Sequence, residues 1–242
     1  MVPRAQASAQ RINEILDMEP EVVDPSELCE ADEQTGHVAF EDVTFSYPGA
    51  EEPAINHITF SAHPGELTAI IGGTGAGKST LINMIPRFYD VDSGRVLVDG
   101  VDVRHMTQSN LRAKIGFVPQ TPILFSGTIN DNIRYGKSDA SQEEISHAAQ
   151  VAQASEFIDN MTDGYESQIS QGGTNLSGGQ KQRLSIARAL VRKPGIYILD
   201  DSFSALDFKT DARLRAALKK ETAASTVLIV AQRVSTVMDA DR

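Results

Sequence analysis

The 242-residue sequence predicts an α/β fold: a parallel sheet with helices on both faces and a smaller antiparallel sheet ahead of it. Three observations lead there. Continuous apolar runs (Leu67–Ile71, Ile196–Leu199 and Thr226–Val230) alternate with helical patterns, as buried parallel strands do. A glycine-rich stretch, Gly72–Thr80, stands between the first of those runs and a helical start at Leu81–Ile85. Before residue 62 the pattern alternates instead, which marks strands with one wet face.

The elements follow in order. Ala5, Ala9, Ile12, Ile15 and Leu16 recur at roughly helical spacing, so Ala5–Met18 reads as an amphipathic helix, ended by Pro20 and Pro25. Acidic, proline-containing Glu19–Glu33 reads as a linker. On its residues alone, the helix is either an arm packed on the domain or the tail of a preceding segment. Val38–Phe45 and Ile55–Ser61 are strands, the first turning at Ser46-Tyr47-Pro48-Gly49. Gly94–Val98 and Lys114–Val118 are further strands. Asp99-Gly100 closes the first, and Pro119 ends the second just before Gln120. From Thr121 to Gln180 strand signals fade, and Ser141–Gln153 and Ser155–Met161 read as helices of an insertion. Gln180–Val191 is a strong helix pattern. Pro194-Gly195 then turns the chain into Ile196–Leu199, which ends in Asp200-Asp201. Phe208–Glu221 is a helix before the last strand.

Composition excludes some classes. A formal net charge of −11 is a poor match to nucleic-acid binding through phosphate neutralisation. One cysteine, Cys29, allows no internal disulfide and suits a reducing compartment. The longest apolar runs, such as Thr226–Ala231, fall far short of the about 20 residues that span a bilayer, and Met1–Gln10 carries no signal-peptide pattern. The polypeptide is therefore expected to be soluble as it stands.

The chemistry begins at the glycine-rich stretch. Gly72, Gly77, Lys78 and Ser79 fit the phosphate-loop pattern G-x-x-x-x-G-K-[ST], in the strand–loop–helix setting that the pattern requires. Gly72, Gly73, Thr74, Gly75 and Ala76 let the backbone curl so that several N–H groups point at one anion. Gly77, Lys78, Ser79 and Thr80 open the helix. Lys78 places a cation between the terminal phosphates, and Ser79 offers a hydroxyl to Mg²⁺. Asp200, emerging from a buried strand, is a candidate ligand on the other side of that ion. Ser177-Gly178-Gly179-Gln180 makes a second helix start, at once a cap and an anion-binding nest.

A phosphate loop, Leu176-Ser177-Gly178-Gly179-Gln180 and an apolar strand ending in Asp200, in that order, resemble the nucleotide-binding domain of an ATP-binding-cassette (ABC) transporter over about Val38 to Arg242. The resemblance implies a P-loop NTPase parallel-sheet core at 37–120 and 181–242, preceded by an antiparallel β subdomain, with a helical signature subdomain at 121–180. It implies ATP and Mg²⁺ as cofactors. Tyr47 lies where the family stacks adenine on an aromatic. Gln120 sits at the glutamine-loop position beside Mg²⁺ and the attacking water. Ser204-Ala205-Leu206-Asp207 resembles the loop that crosses to a partner domain, so Asp207 joins the nucleotide-contacting set. The family pairs two such domains head to tail, and Ser177, Gly178, Gly179 and Gln180 would cover the partner's nucleotide. Arg11–Leu16, Glu19-Pro20 and Phe125-Ser126-Gly127-Thr128-Ile129 resemble exporters, which makes residues 1–36 a connector from a membrane domain. The implied setting is the cytoplasmic face of a membrane.

Two positions depart from that pattern. The family's catalytic base after the Mg²⁺ aspartate is Glu; here it is Asp201, shorter by about 1.5 Å. The histidine that meets the γ-phosphate is replaced by Gln232, which cannot carry its charge. Gln171 also stands where exporters commonly have Glu. Asp201 and Gln232 both fall in the composite site built on this chain's own loop, as in the degenerate half of a heterodimeric multidrug exporter. Asp201, Gln120, Gln232 and Lys78 are therefore the candidate catalytic groups, with Ser79, Gln120 and Asp200 on the metal. A non-hydrolysing regulatory ATP-binding module is the alternative. A chromosome-maintenance ATPase fits poorly with the short Ser79–Leu176 spacing, and a translation-factor ATPase would carry two cassettes.

Overall fold

The computed structural model describes residues 2–18, 20–29, 35–231 and 240–242. The first element is helix α1 (Val2–Leu16). Strands β1 (Val38–Phe45) and β2 (Ile55–Ala62) follow, then β3 (Leu67–Ile71) and helix α2 (Lys78–Asn83). Next come β4 (Ser93–Val98), β5 (Val101–Asp102), α3 (Gln108–Ala113) and β6 (Ile115–Val118). A short strand β7 (Gly127–Thr128) leads into helices α4 (Ile129–Arg134), α5 (Gln142–Val151) and α6 (Ser155–Asp159), with β8 (Gln168–Ile169) returning to pair with β7. Helix α7 (Gly178–Leu190), β9 (Ile196–Asp200), α8 (Phe208–Glu221) and β10 (Thr226–Ala231) complete the order.

Two sheets dominate, as the expected mixed α/β class requires. The parallel sheet runs β3-β10-β9-β6, and the antiparallel sheet runs β2-β1-β4-β5. Every residue of β9 and β10 is buried, which explains their unbroken apolar runs. Successive residues point to opposite faces. Ile196, Ile198, Leu228 and Val230 enter one apolar layer with β1, β4 and α2, whereas Tyr197, Leu199, Val227 and Ile229 enter the other with α4, α5 and α7.

Three features differ from the sequence reading. Ser93–Val98 joins the antiparallel sheet although it follows residue 62, pairing with β1 from Val38↔Val98 to Thr44↔Ser93. Its inner residues alternate in burial, so it behaves as a one-faced strand. Helix α3 was not anticipated; it has six residues and one buried apolar side chain, Leu111, too few to show a period. The β7–β8 pair inside the helical stretch was also unread, two residues a side being below any pattern.

The N-terminal helix is not an arm packed on the domain. Ile12, Ile15 and Leu16 are 58%, 69% and 74% exposed. The following segment is held instead. The Gln108 backbone N–H donates to Asp24 Oδ1 (2.8 Å), and Gln108 Nε2 donates to the Val22 carbonyl (3.3 Å). Cys29 N donates to the His105 carbonyl (2.9 Å).

The strongest fastening is Asp99. Its carboxylate, 1% exposed, accepts from Thr35 Oγ1, Gly36 N and His37 N, and pairs with Lys114 Nζ at 2.8 Å. One buried side chain therefore ties the entry to β1 to the start of β6. Removing its charge strands a nearly buried ammonium, a change that typically costs about 3–5 kcal/mol. Asp99→Asn is expected to lower the thermal midpoint by about 6–20 °C, read by calorimetry. A midpoint unchanged within error would mean that the pair contributes nothing.

Candidate nucleotide site

Parallel register builds the site. Ala231 pairs with Ile71, Val230 with Asp200, and Val118 with Leu199. The C-terminal ends of β3, β9 and β6 thus share one edge, where open α/β sheets bind ligands. Gly72 leaves β3 there, Asp200 and Asp201 end β9, and Gln120 follows β6 by two residues. Gln232 directly follows β10 in sequence and lies outside the described residues.

The glycine loop depends on close approach. Gly77 has φ +79°, and a Cβ there would sit 2.5 Å from the Ala54 carbonyl oxygen. Lys78 Nζ folds back over the loop and donates to the carbonyls of Gly72 (2.8 Å) and Gly73 (2.7 Å), so its charge is centred over the cradle. The exposed residues Gly72 to Ala76 leave their backbone open. Burial pushes the Asp200 carboxyl up; Ser79 and Lys78 oppose that rise and the adjacent Asp201 charge adds to it. A buried carboxylate facing a hydroxyl, beside a second carboxylate, suits a hard divalent cation completed by phosphate oxygens. Among the described residues no cluster of three or more His, Cys, Asp and Glu side chains competes as a metal site.

Asp201 is the strained member. Its φ is +44°, uncommon for a residue with a Cβ and worth roughly 1–3 kcal/mol. Its N–H donates to the Val230 carbonyl (3.0 Å), and its carbonyl accepts from Ser204 Oγ (2.9 Å). Gln120 Nε2 lies 3.4 Å from Asp201 Oδ2. Asp200, Asp201, Gln120, Lys78 and Ser79 are thereby brought together, and Tyr47 joins them through Thr80, its hydroxyl 2.9 Å from Thr80 Oγ1.

The second glycine segment stands apart. Ser177 Oγ accepts from Gln180 N (3.3 Å), and Gln180 Oε1 accepts from Ser177 N (2.8 Å), a capping box that starts α7. Gly178 and Gly179 lie against Ala205; a Cβ on Gly179 would come 3.1 Å from the Ala205 carbonyl oxygen. Asp207 caps α8 by accepting from Lys209 N and Thr210 N. Among the described residues, no hydrogen bond joins Ser177–Gln180 or Asp207 to the loop at 72–80. Tyr89, which packs on Tyr47, was missed by sequence reasoning; the only signal was an aromatic pair, Phe88-Tyr89, after the loop helix.

The sequence model of the ABC transporter family matches residues 55–204. The chain belongs to the ABC transporter family. An uncharacterised ABC transporter ATP-binding protein of Mycobacterium tuberculosis is 46% identical over 246 residues, covering 100% of this chain and 42% of the relative. An ATP-dependent lipid A-core flippase of Syntrophus aciditrophicus is 41% identical over 236 residues, 98% of this chain and 39% of that protein. The structure of a bacterial Atm1-family ABC exporter with ATP bound superposes with a TM-score of 0.91 at 35% identity, over 99% of this chain and 42% of that one. The chain thus spans about two fifths of the length of the relatives it matches. Its fold is that of an exporter-type ABC ATP-binding domain. No helix among the described residues is long and apolar enough to cross a membrane.

The loop glycines are not equivalent. Gly77→Ala is expected to cost about 2–3 kcal/mol, from positive φ and the Ala54 clash. The thermal midpoint should fall by several degrees. Gly73→Ala meets nothing within 4 Å and should leave the midpoint unchanged. Equal shifts in a melting experiment would contradict this geometry.

Proposed function

We propose that the chain is the ATP-binding and hydrolysing motor domain of a heterodimeric ABC exporter, with its own site degenerate and its LSGGQ segment completing the partner's site. One observation carries this reading: Asp200, Asp201, Gln120 and the phosphate loop converge on one strand edge, while Ser177–Gln180 forms a separate, well-capped cluster. In this reading the loop N–H groups and Lys78 hold the ATP phosphates, and Tyr47 stacks the adenine. Ser79, Asp200 and Gln120 would hold Mg²⁺, which would supply charge neutralisation at the phosphates. Asp201 orients the attacking water and takes its proton, and Gln232 hydrogen-bonds the γ-phosphate without supplying a charge. The shorter carboxylate weakens this step, because misplacement of about 1 Å costs on the order of a hundredfold in rate.

The partners are a second ABC half-transporter and the membrane domain of the parent chain, at the cytoplasmic face of a membrane. A shelf of exposed apolar groups supports the second contact. Ile123, Phe125 and Tyr135 are 62%, 44% and 70% exposed. The Phe125 and Tyr135 rings lie 4.7 Å apart, with the half-buried Arg188 guanidinium over both. Arg188 is fixed from below by Asn132 and the Ile123 carbonyl. A rigid aromatic shelf that begins three residues after Gln120 suits a helix end from the membrane domain.

The test is rate. Purified chain should bind Mg·ATP yet release phosphate slowly, and Asp201→Glu should raise turnover by about 10-fold to 100-fold. No change on lengthening the carboxylate would remove the degenerate-site reading, and no phosphate release in single-turnover measurements from either form would favour the regulatory module. In the assembled pair, Ser177→Arg should abolish turnover by blocking the partner's site. Retention of full activity there would contradict the proposed division of labour.

A further inference from the structure

Tyr47 carries more than a stacking face. Its hydroxyl lies 2.9 Å from Thr80 Oγ1, and Thr80 is a buried residue of α2, next to Ser79. The ring is bracketed from two sides as well. Phe45 lies 5.0 Å away at 81°, and Tyr89 lies 5.5 Å away at 85°. Phe45 and Tyr89 contact each other at 5.3 Å. Neither neighbour is parallel to Tyr47, so neither takes a stacking position on it. Tyr47 stays 39% exposed. The backbone is pinned too: Ser46 N donates to Asp92 Oδ2 (2.8 Å), and Ala50 N donates to the Tyr47 carbonyl (3.0 Å).

We propose that Thr80 is a positioning residue for base recognition: its hydroxyl locks the Tyr47 ring to the phosphate-loop helix, so base and phosphates are read by one rigid unit. This rests on the ATP-binding reading and adds a selectivity element to it. The ring swings from a loop beyond β1 and by itself has rotational freedom about the Cα–Cβ and Cβ–ring bonds. The Thr80 bond removes that freedom before the ligand arrives, so the base meets a preset face rather than one it must order. The same bond makes any shift of α2 move the stacking face. Ligands that carry both a base and a polyphosphate are favoured over polyphosphate alone.

Thr80 stands next to the Ser79 hydroxyl, so a simple loss of ATP affinity would not separate positioning from direct phosphate contact. The readout is therefore the ratio of Mg·ATP affinity to Mg·tripolyphosphate affinity, by titration calorimetry on the full 242-residue chain. Wild type is compared with Tyr47→Phe, Thr80→Val and the double variant. Tyr47→Phe keeps the ring and Thr80→Val keeps the volume, so the fold is preserved. Each single change should lower the ratio by about threefold to tenfold, the range of one net hydrogen bond, and the double variant should be no worse than either. An unchanged ratio in Tyr47→Phe, a loss in Thr80→Val shared equally by both ligands, or independent additive losses in the double variant would each overturn the proposal. Wild-type chain that binds tripolyphosphate but shows no preference for ATP would overturn it while leaving the phosphate loop intact. Wild-type chain that binds neither ligand would overturn the ATP-binding reading itself, and the proposal with it.

Discussion

Everything at the nucleotide edge depends on parallel register between β3, β10, β9 and β6. The pairing aligns Ile71, Ala231, Asp200 and Val118 within about one residue of each other, so the segments that leave these strands converge without further instruction. A parallel sheet demands helical crossovers and burial on both faces. β9 and β10 meet that demand with no exposed residue. A one-residue slip of β9 would turn Ile196 and Ile198 toward the layer that now holds Tyr197 and Leu199, and would carry Asp200 off the edge. Core packing therefore sets the position of the Asp200 carboxylate as firmly as any polar contact does.

The two apolar layers divide the chemistry. Leu81 and Ile82, which anchor the phosphate-loop helix, belong to the layer shared with the antiparallel sheet. Leu176 and Leu184, which flank Ser177–Gln180, belong to the layer shared with the helical insertion, and Phe203 and Leu206 pack there too. Gly179 needs the absence of a Cβ to lie beside Ala205, so the capped start of α7 is held to the 204–207 loop rather than to residues 72–80.

Much of this was legible in the sequence because the relevant signals are local. The β3, β9 and β10 runs announce buried strands, and Ser177 sits at a helix start where a short polar side chain caps. What stayed hidden is long-range. Asp99 read as a turn residue; its role as a buried acceptor for residues 35–37 and Lys114 depends on contacts that no spacing rule reveals. Tyr89 and Thr80 carry no sequence mark of their packing on Tyr47, because those contacts join a loop beyond β1 to residues 33 and 42 positions later in the chain. The apolar stripe of α1 was read correctly as a helix, but the same stripe could not say whether the domain covers it, and the exposed Ile15 and Leu16 answer that it does not.

The Asp201 backbone leaves reach at that position to the side chain alone. Its Cα is fixed twice, by the N–H bond to Val230 in β10 and by the carbonyl bond to Ser204, in a left-handed conformation that leaves little room to adjust. With the backbone pinned to a fully buried strand, reach toward the edge can come only from the side chain. The 3.4 Å separation between Asp201 Oδ2 and Gln120 Nε2 is at the long limit of a hydrogen bond. A glutamate would extend the carboxylate by about 1.5 Å from the same Cα, whereas the aspartate cannot recover that distance by a backbone shift without releasing Val230. Geometry and residue choice thus act in the same direction: on this pinned backbone an aspartate holds its carboxylate about 1.5 Å nearer the strand end than a glutamate would.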